Sequence, residues 1–218
     1  MKTADRPLDR VAASIVYNLD SVNVFHYNKL IYLFEYLFIK NFGVRYTQEK
    51  FTKLPHGPVV SRYKHQIKKL TEENIFRTDI EKLMKDKEYS KSCAVKILIG
   101  STSDTKNLII KEKFVADFIQ KVIERYSGYS ATELEKIVYK TPPMQKLLSQ
   151  LKMGYKKETG SYILKDGIRF SDYRDSVTRG RLLALEHSIN NPEINTDLHI
   201  RLNEELSFMK KLRPEWAL

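Results

Sequence analysis

Residues 53–70, KLPHGPVVSRYKHQIKKL, join two segments of different hydrophobic period. The run before them, residues 44–54, is typical of a strand or an extended segment. After it, apolar residues recur at helical spacing, at Val59, Tyr63, Ile67 and Leu70. We therefore predict a sharp corner that leads into a third helix, from Pro58 to about Leu70.

The corner consists of His56, Gly57 and Pro58. Proline suits the first turn of a helix because it has no backbone N–H to leave unpaired, and it disfavours helical geometry at the residue before it. Glycine adopts backbone angles that a residue with a Cβ resists. His56 would then lie just outside the helix, near the positive end of its dipole. The corner is first of all structural, but it is also a candidate partner-binding surface, whose residues would be His56, Arg62, Tyr63 and Lys64.

Two helices are predicted before the corner. The first begins at Pro7, and the second begins near Asn23, a suitable N-cap, and runs to about Lys40. Gly43 then provides a natural stop. The apolar stripe of the second helix is broad, so we expect this helix to be central to the core.

Beyond the corner, residues 71–87 are polar and predict a short helix or loops. The runs CAVKILIG (93–100) and NLIIKEKF (107–114) are rich in strand-forming residues and are separated by polar turn residues, which predicts a hairpin.

Three further helices are predicted before residue 150. One covers Phe114–Tyr126, and a second opens at Ser130, which has the spacing of a capping box with Glu133. Thr141 and Pro142 predict the N-cap and first turn of the third.

Residues 151–218 differ in character, with a possible hairpin around 154–170 and helices near 172–190 and 196–212. The fold class is α+β. We predict a helix-rich single domain with a small antiparallel sheet or hairpin over residues 1–150, and a C-terminal hairpin plus two-helix extension packed on it.

The composition indicates a soluble cytoplasmic protein with acidic partners. Lys and Arg number 38 against 27 Asp and Glu, a net charge of +11, although the excess is spread along the chain. The single cysteine, Cys93, excludes an internal disulfide, the N-terminus is too polar for a signal peptide, and no apolar run reaches the roughly 20 residues of a membrane span.

The sequence contains no recognisable catalytic constellation. The five histidines have no metal-ligand spacing, and phosphate-binding glycine loops and nucleophile motifs are missing. Cys93 lies in a predicted strand, where an inert buried thiol is expected. We therefore expect no catalytic residue, no metal and no cofactor.

Three blocks of the sequence resemble the Panacea, or SocA-like, antitoxin domain. They are NKLIYLFEYL (28–37), HGPVVSRYKHQI (56–67) and FIQKVIERYSGYSATELEKIVYKTPPM (118–144), in the family's order. Residues that match the family pattern, for which we expect a mainly structural role, are Lys29, Leu30, Tyr32, Gly57, Pro58, Val59, Tyr126, Leu134 and Pro143. The last block departs from the family pattern. The family often has threonine-histidine and then proline-tryptophan there, whereas this chain has Val138 and Tyr139, and then Pro143 and Met144.

The resemblance implies a non-enzymatic antitoxin that neutralises a cognate toxin protein by direct binding, in a bacterial or phage toxin–antitoxin system. It also implies a possible adaptor role toward a Clp-type protease. Two alternatives stay open: a nucleic-acid-binding transcriptional regulator of its own operator DNA, and a phage factor that binds a host protein. No membrane partner is expected.

Overall fold

Short antiparallel strands alternate with longer helices in the computed structural model, which describes residues 6–42, 45–47, 49–83, 93–100, 103–152, 203–208 and 210–211. The elements in chain order are α1 (Pro7–Asn18), β1 (Ser21–Asn23), α2 (Val24–Phe42), β2 (Phe51–Leu54), β3 (Gly57–Val60), α3 (Tyr63–Glu72), β4 (Arg77–Leu83), β5 (Cys93–Ile99), α4 (Ser103–Leu108), α5 (Lys113–Tyr126), α6 (Ala131–Tyr139) and α7 (Pro142–Lys152). Residues 203–208 and 210–211 are also helical. The predicted helix-rich α+β class is confirmed.

Helix α2 lies at the centre of this arrangement. The Asn23 side chain accepts hydrogen bonds from the N–H groups of Phe25 and His26, at 3.0 and 2.9 Å, and so caps the helix as predicted. Every residue from Tyr27 to Tyr36 is buried, and α1, α5, α6 and β3 all pack against the helix. A helix that is buried on nearly all sides belongs in the core. Helix α2 ends at Phe42, two residues beyond the predicted end near Lys40.

Within the described ranges, the strands form two separate sheets. One has the order β1-β5-β4, with both pairings antiparallel. The other is the hairpin of β2 and β3, in which Phe51 lies opposite Val60 and Leu54 opposite Gly57.

The predicted third helix is wrong at its start. Residues 57–60 form strand β3, in which Pro58 pairs with Lys53, and α3 begins only at Tyr63. Pro55 and His56 are therefore the two-residue turn of a hairpin, and His56 does not lie at a helix N-terminus. Helical spacing placed Val59 on the helix because an apolar strand of four residues gives too few positions to reveal its own period.

The predicted pairing of residues 93–100 with 107–114 is also wrong. Strand β5 pairs instead with β4, from Arg77 opposite Ile99 to Leu83 opposite Cys93. Strand β4 lies within residues 71–87, for which the sequence predicts a short helix or loops. The later run is not a strand: its first two residues end α4, its last two begin α5, and the Ile110 N–H between them donates to the Ser14 hydroxyl of α1, at 3.0 Å. Residues 103–108 form α4 rather than a turn.

The remaining helix starts agree with the sequence. Helix α1 begins at Pro7 and α7 at Pro142. Ser130 and Glu133 form a complete capping box at the start of α6. Gly43 and the predicted hairpin at 154–170 lie outside the described residues, as do residues 172–190.

An aromatic cluster fills the core between α2 and α5. Its members include Phe34, Phe38, Phe42, Tyr46, Phe114 and Phe118, with ring centroids 4.5 to 6.1 Å apart. Phe208 adds to it, with its ring 5.5 Å from those of Tyr46 and Phe114. Residues 203–208 thus contact the core of the preceding region, while the predicted boundary at residue 150 falls within α7 and stays a prediction.

Gly57 provides a test of the corner's backbone. Its φ is +109°, a conformation that side-chain-bearing residues rarely adopt, although an added Cβ would only reach ordinary contact, 3.9 Å from Lys29 Cε. Gly57→Ala is therefore expected to lower the free energy of unfolding by about 2 kcal/mol through backbone strain alone. Gly128→Ala is the matched control, because nothing lies within 4 Å of an added Cβ there. Equal urea midpoints for the two variants would contradict this assignment.

Candidate functional site

The hairpin turn Pro55–His56 is held between helices α2 and α6. The exposed His56 ring meets the edge of Phe25 at a centroid distance of 5.5 Å. The Tyr139 hydroxyl donates to the Pro55 carbonyl, at 3.3 Å. One aromatic side chain from each helix thus fixes one residue of the turn.

The structure places the four predicted partner-binding residues at two ends of β3. His56 precedes the strand, whereas Arg62, Tyr63 and Lys64 follow it at the start of α3. A strand of four residues spans about 13 Å, so the two groups are not one cluster. Arg62 and Lys64 are exposed, and Arg62, in the left-handed conformation (φ 64°), is the N-cap residue that precedes α3. Tyr63 is half-buried against the core, which raises the pKa of its hydroxyl.

Two buried lysines lie next to the turn: Lys29 Cε is close to Gly57, and Lys53 pairs with Pro58. Lys29 of α2 is 2% exposed and Lys53 of β2 is 7% exposed. Lys53 takes an inward position because it alternates with Thr52 and shares a face with the buried Phe51. We call Lys29 and Lys53 the lysine pair.

Each ammonium of the lysine pair lies over an aromatic ring. Lys29 Nζ is 5.6 Å from the Phe25 ring centroid, and Lys53 Nζ is 5.3 Å from that of Tyr139. Lys53 also donates to the Leu54 carbonyl, at 3.2 Å. These are the same two rings that hold the hairpin turn. We define the corner site as Phe25, Lys29, Lys53, His56, Glu135 and Tyr139.

Burial and the Glu135 carboxylate act in opposite directions on the pKa of each member of the lysine pair. Desolvation lowers the pKa of Lys29 and of Lys53, because burial disfavours the charged ammonium. The negative charge of Glu135, on α6, acts in the opposite direction on both. Glu135 is half-buried.

Most of the residues that match the family pattern lie in the core. Leu30, Tyr32 and Leu134 are fully buried, and the Tyr32 hydroxyl bonds the Thr141 hydroxyl at 2.8 Å. Buried positions are also occupied by Gly57, Pro58, Tyr126 and Pro143, while Val59 is half-buried. Their positions are those that a structural role requires. Lys29 differs from them because it buries a charge.

Sequence reasoning missed four members of the corner site: Phe25, Lys53, Glu135 and Tyr139. Lys53 carried a signal, since it falls on the same side as Phe51 in a strand with alternating burial. The other three are brought to the turn by the packing of α2 and α6, which no local pattern reveals.

Over the described residues, no group of three or more His, Cys, Asp or Glu side chains is arranged to hold a metal ion. Within the same part of the chain, no helix combines the length and hydrophobicity of a membrane span.

Fold and site together define a helix-rich α+β domain with a basic, aromatic-lined corner. The chain belongs to the family described as "Antitoxin SocA-like, Panacea domain", whose sequence model matches residues 28–143, more than half of the chain. No curated protein and no solved structure matches the chain. The matched range contains every member of the corner site except Phe25.

Lys29→Met tests whether the buried charge is kept for the stability of the fold. Methionine retains the long apolar stem and removes a desolvated ammonium, so the free energy of unfolding is expected to rise by about 1 kcal/mol at neutral pH. The folded pKa of Lys29 lies below its ordinary 10.5, so over the window between the two the unfolded chain binds more protons. Wild-type stability therefore gains from rising pH there, and its deficit relative to the variant should shrink.

Urea denaturation of both proteins at neutral pH and at about pH 10 measures this difference. A variant that is less stable than the wild type at neutral pH would show that the ammonium stabilises the fold.

Proposed function

We propose that this protein is a non-enzymatic antitoxin that neutralises a cognate toxin by binding it directly, in a bacterial or phage toxin–antitoxin system. The observation that carries the proposal is the match of residues 28–143 to the SocA-like antitoxin family. The corner site supports it, because it gathers aromatic and basic side chains at an exposed hairpin turn, and such residues are favoured at the centres of protein interfaces.

The mechanism in this proposal is occlusion of the toxin's active region. Its surface would include the turn residue His56, and Arg62, Tyr63 and Lys64 stay proposed contacts at the other end of β3. The net charge of +11 would steer an acidic partner during encounter and fix its orientation. No catalytic group is needed for this action, and the cytoplasm is where such a toxin would be met.

A second candidate is binding to operator DNA, favoured by the net charge. The placement of the charge speaks against it at the corner site, because the two lysines there are buried and cannot follow a phosphate backbone. Delivery of the toxin to a Clp-type protease and binding of a host protein by a phage factor are further variants of protein binding.

Purification of the tagged protein from its own host, with nuclease and at moderate salt, tests the proposed function. We expect one stoichiometric protein partner that arrests growth when it is expressed alone and is tolerated when it is co-expressed with this protein. Gly57→Ala, which perturbs the corner, should protect less well than Gly128→Ala at equal protein levels.

Two results would contradict the proposal. Nucleic acid that resists nuclease, without a protein partner, would favour the transcriptional regulator. A stoichiometric partner that is harmless when expressed alone would favour the host-protein binder.

A further inference from the structure

One side of helix α3 is exposed to solvent and carries positive charge. Lys64 and Lys68 lie on it one helical turn apart, about 6 Å along the helix axis, and both are exposed. The opposite side packs on the domain, where Gln66 bonds Tyr27 and Asp9, both at 3.1 Å. The exposed side of α3 is therefore held in one orientation. The buried residues of the helix are Gln66, Ile67 and Leu70.

Two further exposed cations adjoin the start of α3. Arg62 is the residue that precedes the helix. The Ser61 N–H donates to the Lys50 carbonyl, at 2.8 Å, which places the backbone of Lys50 beside the residue before Arg62. The side chains of Lys50 and Arg62 are both exposed. We call Lys50, Arg62, Lys64 and Lys68 the α3 basic face.

The positive charge of the α3 basic face is largely unpaired within the protein. The acidic side chain of α3 is Glu72, at the end of the helix, and it lies 3.6 Å from Lys68 Nζ. Over the part of the chain that the structure describes, Lys50, Arg62 and Lys64 form no ion pair within 4.0 Å. Four cations therefore adjoin one carboxylate on this surface.

The outer side of helix α5 shows that the net charge is not spread evenly. It carries Lys113, Asp117, Lys121 and Glu124 at intervals of four, four and three residues, so that cations and acids alternate along one side of the helix. Such a surface attracts neither sign of charge strongly, because neighbouring charges of opposite sign offset each other. The α3 basic face is thus a local feature of the surface.

We propose that the α3 basic face is the docking surface for an acidic segment of the protein partner, in which two carboxylates lie about 6 Å apart. The proposal rests on the proposed function and specifies the charge of the toxin surface. The two carboxylates would pair with Lys64 and Lys68. The pair between Lys68 and Glu72 is weak because its side chains are 73% and 64% exposed, so a carboxylate of the partner can replace Glu72 at small cost.

The extent of the α3 basic face favours a protein segment over nucleic acid. Helix α3 has 10 residues and is therefore about 15 Å long. A DNA-binding protein with a strong salt dependence makes about 6–10 phosphate contacts along a continuous backbone. The α3 basic face has four cations and ends at Glu72, whose carboxylate would repel a phosphate backbone that continued along the helix.

Titration of the full-length, isotope-labelled protein with acetyl-hexaglutamate amide tests the docking surface without any toxin. The backbone amide signals of residues 61–72 are followed by NMR, and the neutral acetyl-hexaglutamine amide is the control peptide. We expect saturable shifts within these residues for the glutamate peptide, which added salt weakens, and no shifts for the glutamine peptide.

Two double variants separate this surface from the net charge of the protein. Lys64→Gln with Lys68→Gln removes the central cations of the face and should weaken binding of the glutamate peptide by about fivefold or more. Lys113→Gln with Lys121→Gln removes two exposed lysines of α5 and should change the affinity by less than about twofold. Both double variants lower the net charge of +11 by two, so a general attraction for anions would affect them equally.

Glu72→Gln tests whether a carboxylate of the partner replaces the internal one. The variant leaves Lys68 without the Glu72 carboxylate and should tighten binding of the glutamate peptide by about twofold. Glu124→Gln, which changes an exposed acid of α5, raises the net charge by the same amount and should leave the affinity unchanged. Equal affinities of these two variants would contradict the assignment of Lys68 to the docking surface.

Three outcomes of the titration would overturn the proposal. The first is shifts that do not saturate or that lie outside α3. The second is equal weakening of binding by the two double variants. The third is tighter binding at the α3 amides by an oligothymidylate of the same charge than by the glutamate peptide, which would assign the face to nucleic acid.

The proposed function and the docking surface fail in different ways. If no toxic partner is found but the glutamate peptide binds the α3 basic face, the antitoxin function is wrong and the surface for an acidic segment stands. If a toxic partner binds the variant with Lys64→Gln and Lys68→Gln as tightly as the wild type, the antitoxin function stands and the docking surface is wrong.

Discussion

The burial of helix α2 on nearly all of its sides is the constraint on which the rest of the structure depends. Ten consecutive residues, from Tyr27 to Tyr36, have no free access to water, so each polar group among them needs a partner inside the protein. The Glu35 carboxylate accepts hydrogen bonds from the Arg45 side chain, at 3.1 Å, and from the Thr47 N–H, at 3.0 Å. Burial nevertheless raises the pKa of Glu35. Tyr27 donates to Gln66, at 3.1 Å. These bonds join α2 to the segment that follows it and to α3. The hydrogen bonds that pair the buried polar groups of α2 therefore also position the neighbouring segments.

Lys29 lies on the same helix and contributes a buried ammonium group to the corner. Its ammonium contacts the ring of Phe25, and the hairpin turn lies beside that ring. The glycine at residue 57 lets the turn close with a φ of +109°, and it lies next to the Lys29 stem. The corner at residues 53–58 is therefore formed by a hairpin against two helices rather than by a helix N-terminus.

Local signals in the sequence predicted much of the helical framework. Pro7, the Asn23 N-cap and the Ser130–Glu133 capping box act within one helical turn, so the interacting residues are close together in the sequence. Strand pairing is different, because the partner of β5 is set by contacts between distant residues. Ile110 illustrates this: its segment has strand-like composition, but the Ser14 hydroxyl, 96 residues away in the chain, takes its N–H.

The candidate site was predictable only in part. His56 was identified because Gly57 and Pro58 mark a corner, and this reasoning holds for a hairpin turn as well as for a helix start. The lysine pair could not be found from composition, since a net charge of +11 does not reveal which cations are buried. Lys29 matches a structural residue in the family pattern, and its burial over the Phe25 ring becomes visible only in three dimensions.

Amide hydrogen exchange of the protein, free and bound to its stoichiometric partner, tests most directly whether the corner is the binding surface. The account predicts that binding slows exchange in the β2–β3 hairpin, at residues 51–60, and along α6, at residues 131–139. Protection confined to other segments, such as residues 203–211, with unchanged exchange in the hairpin, would contradict it.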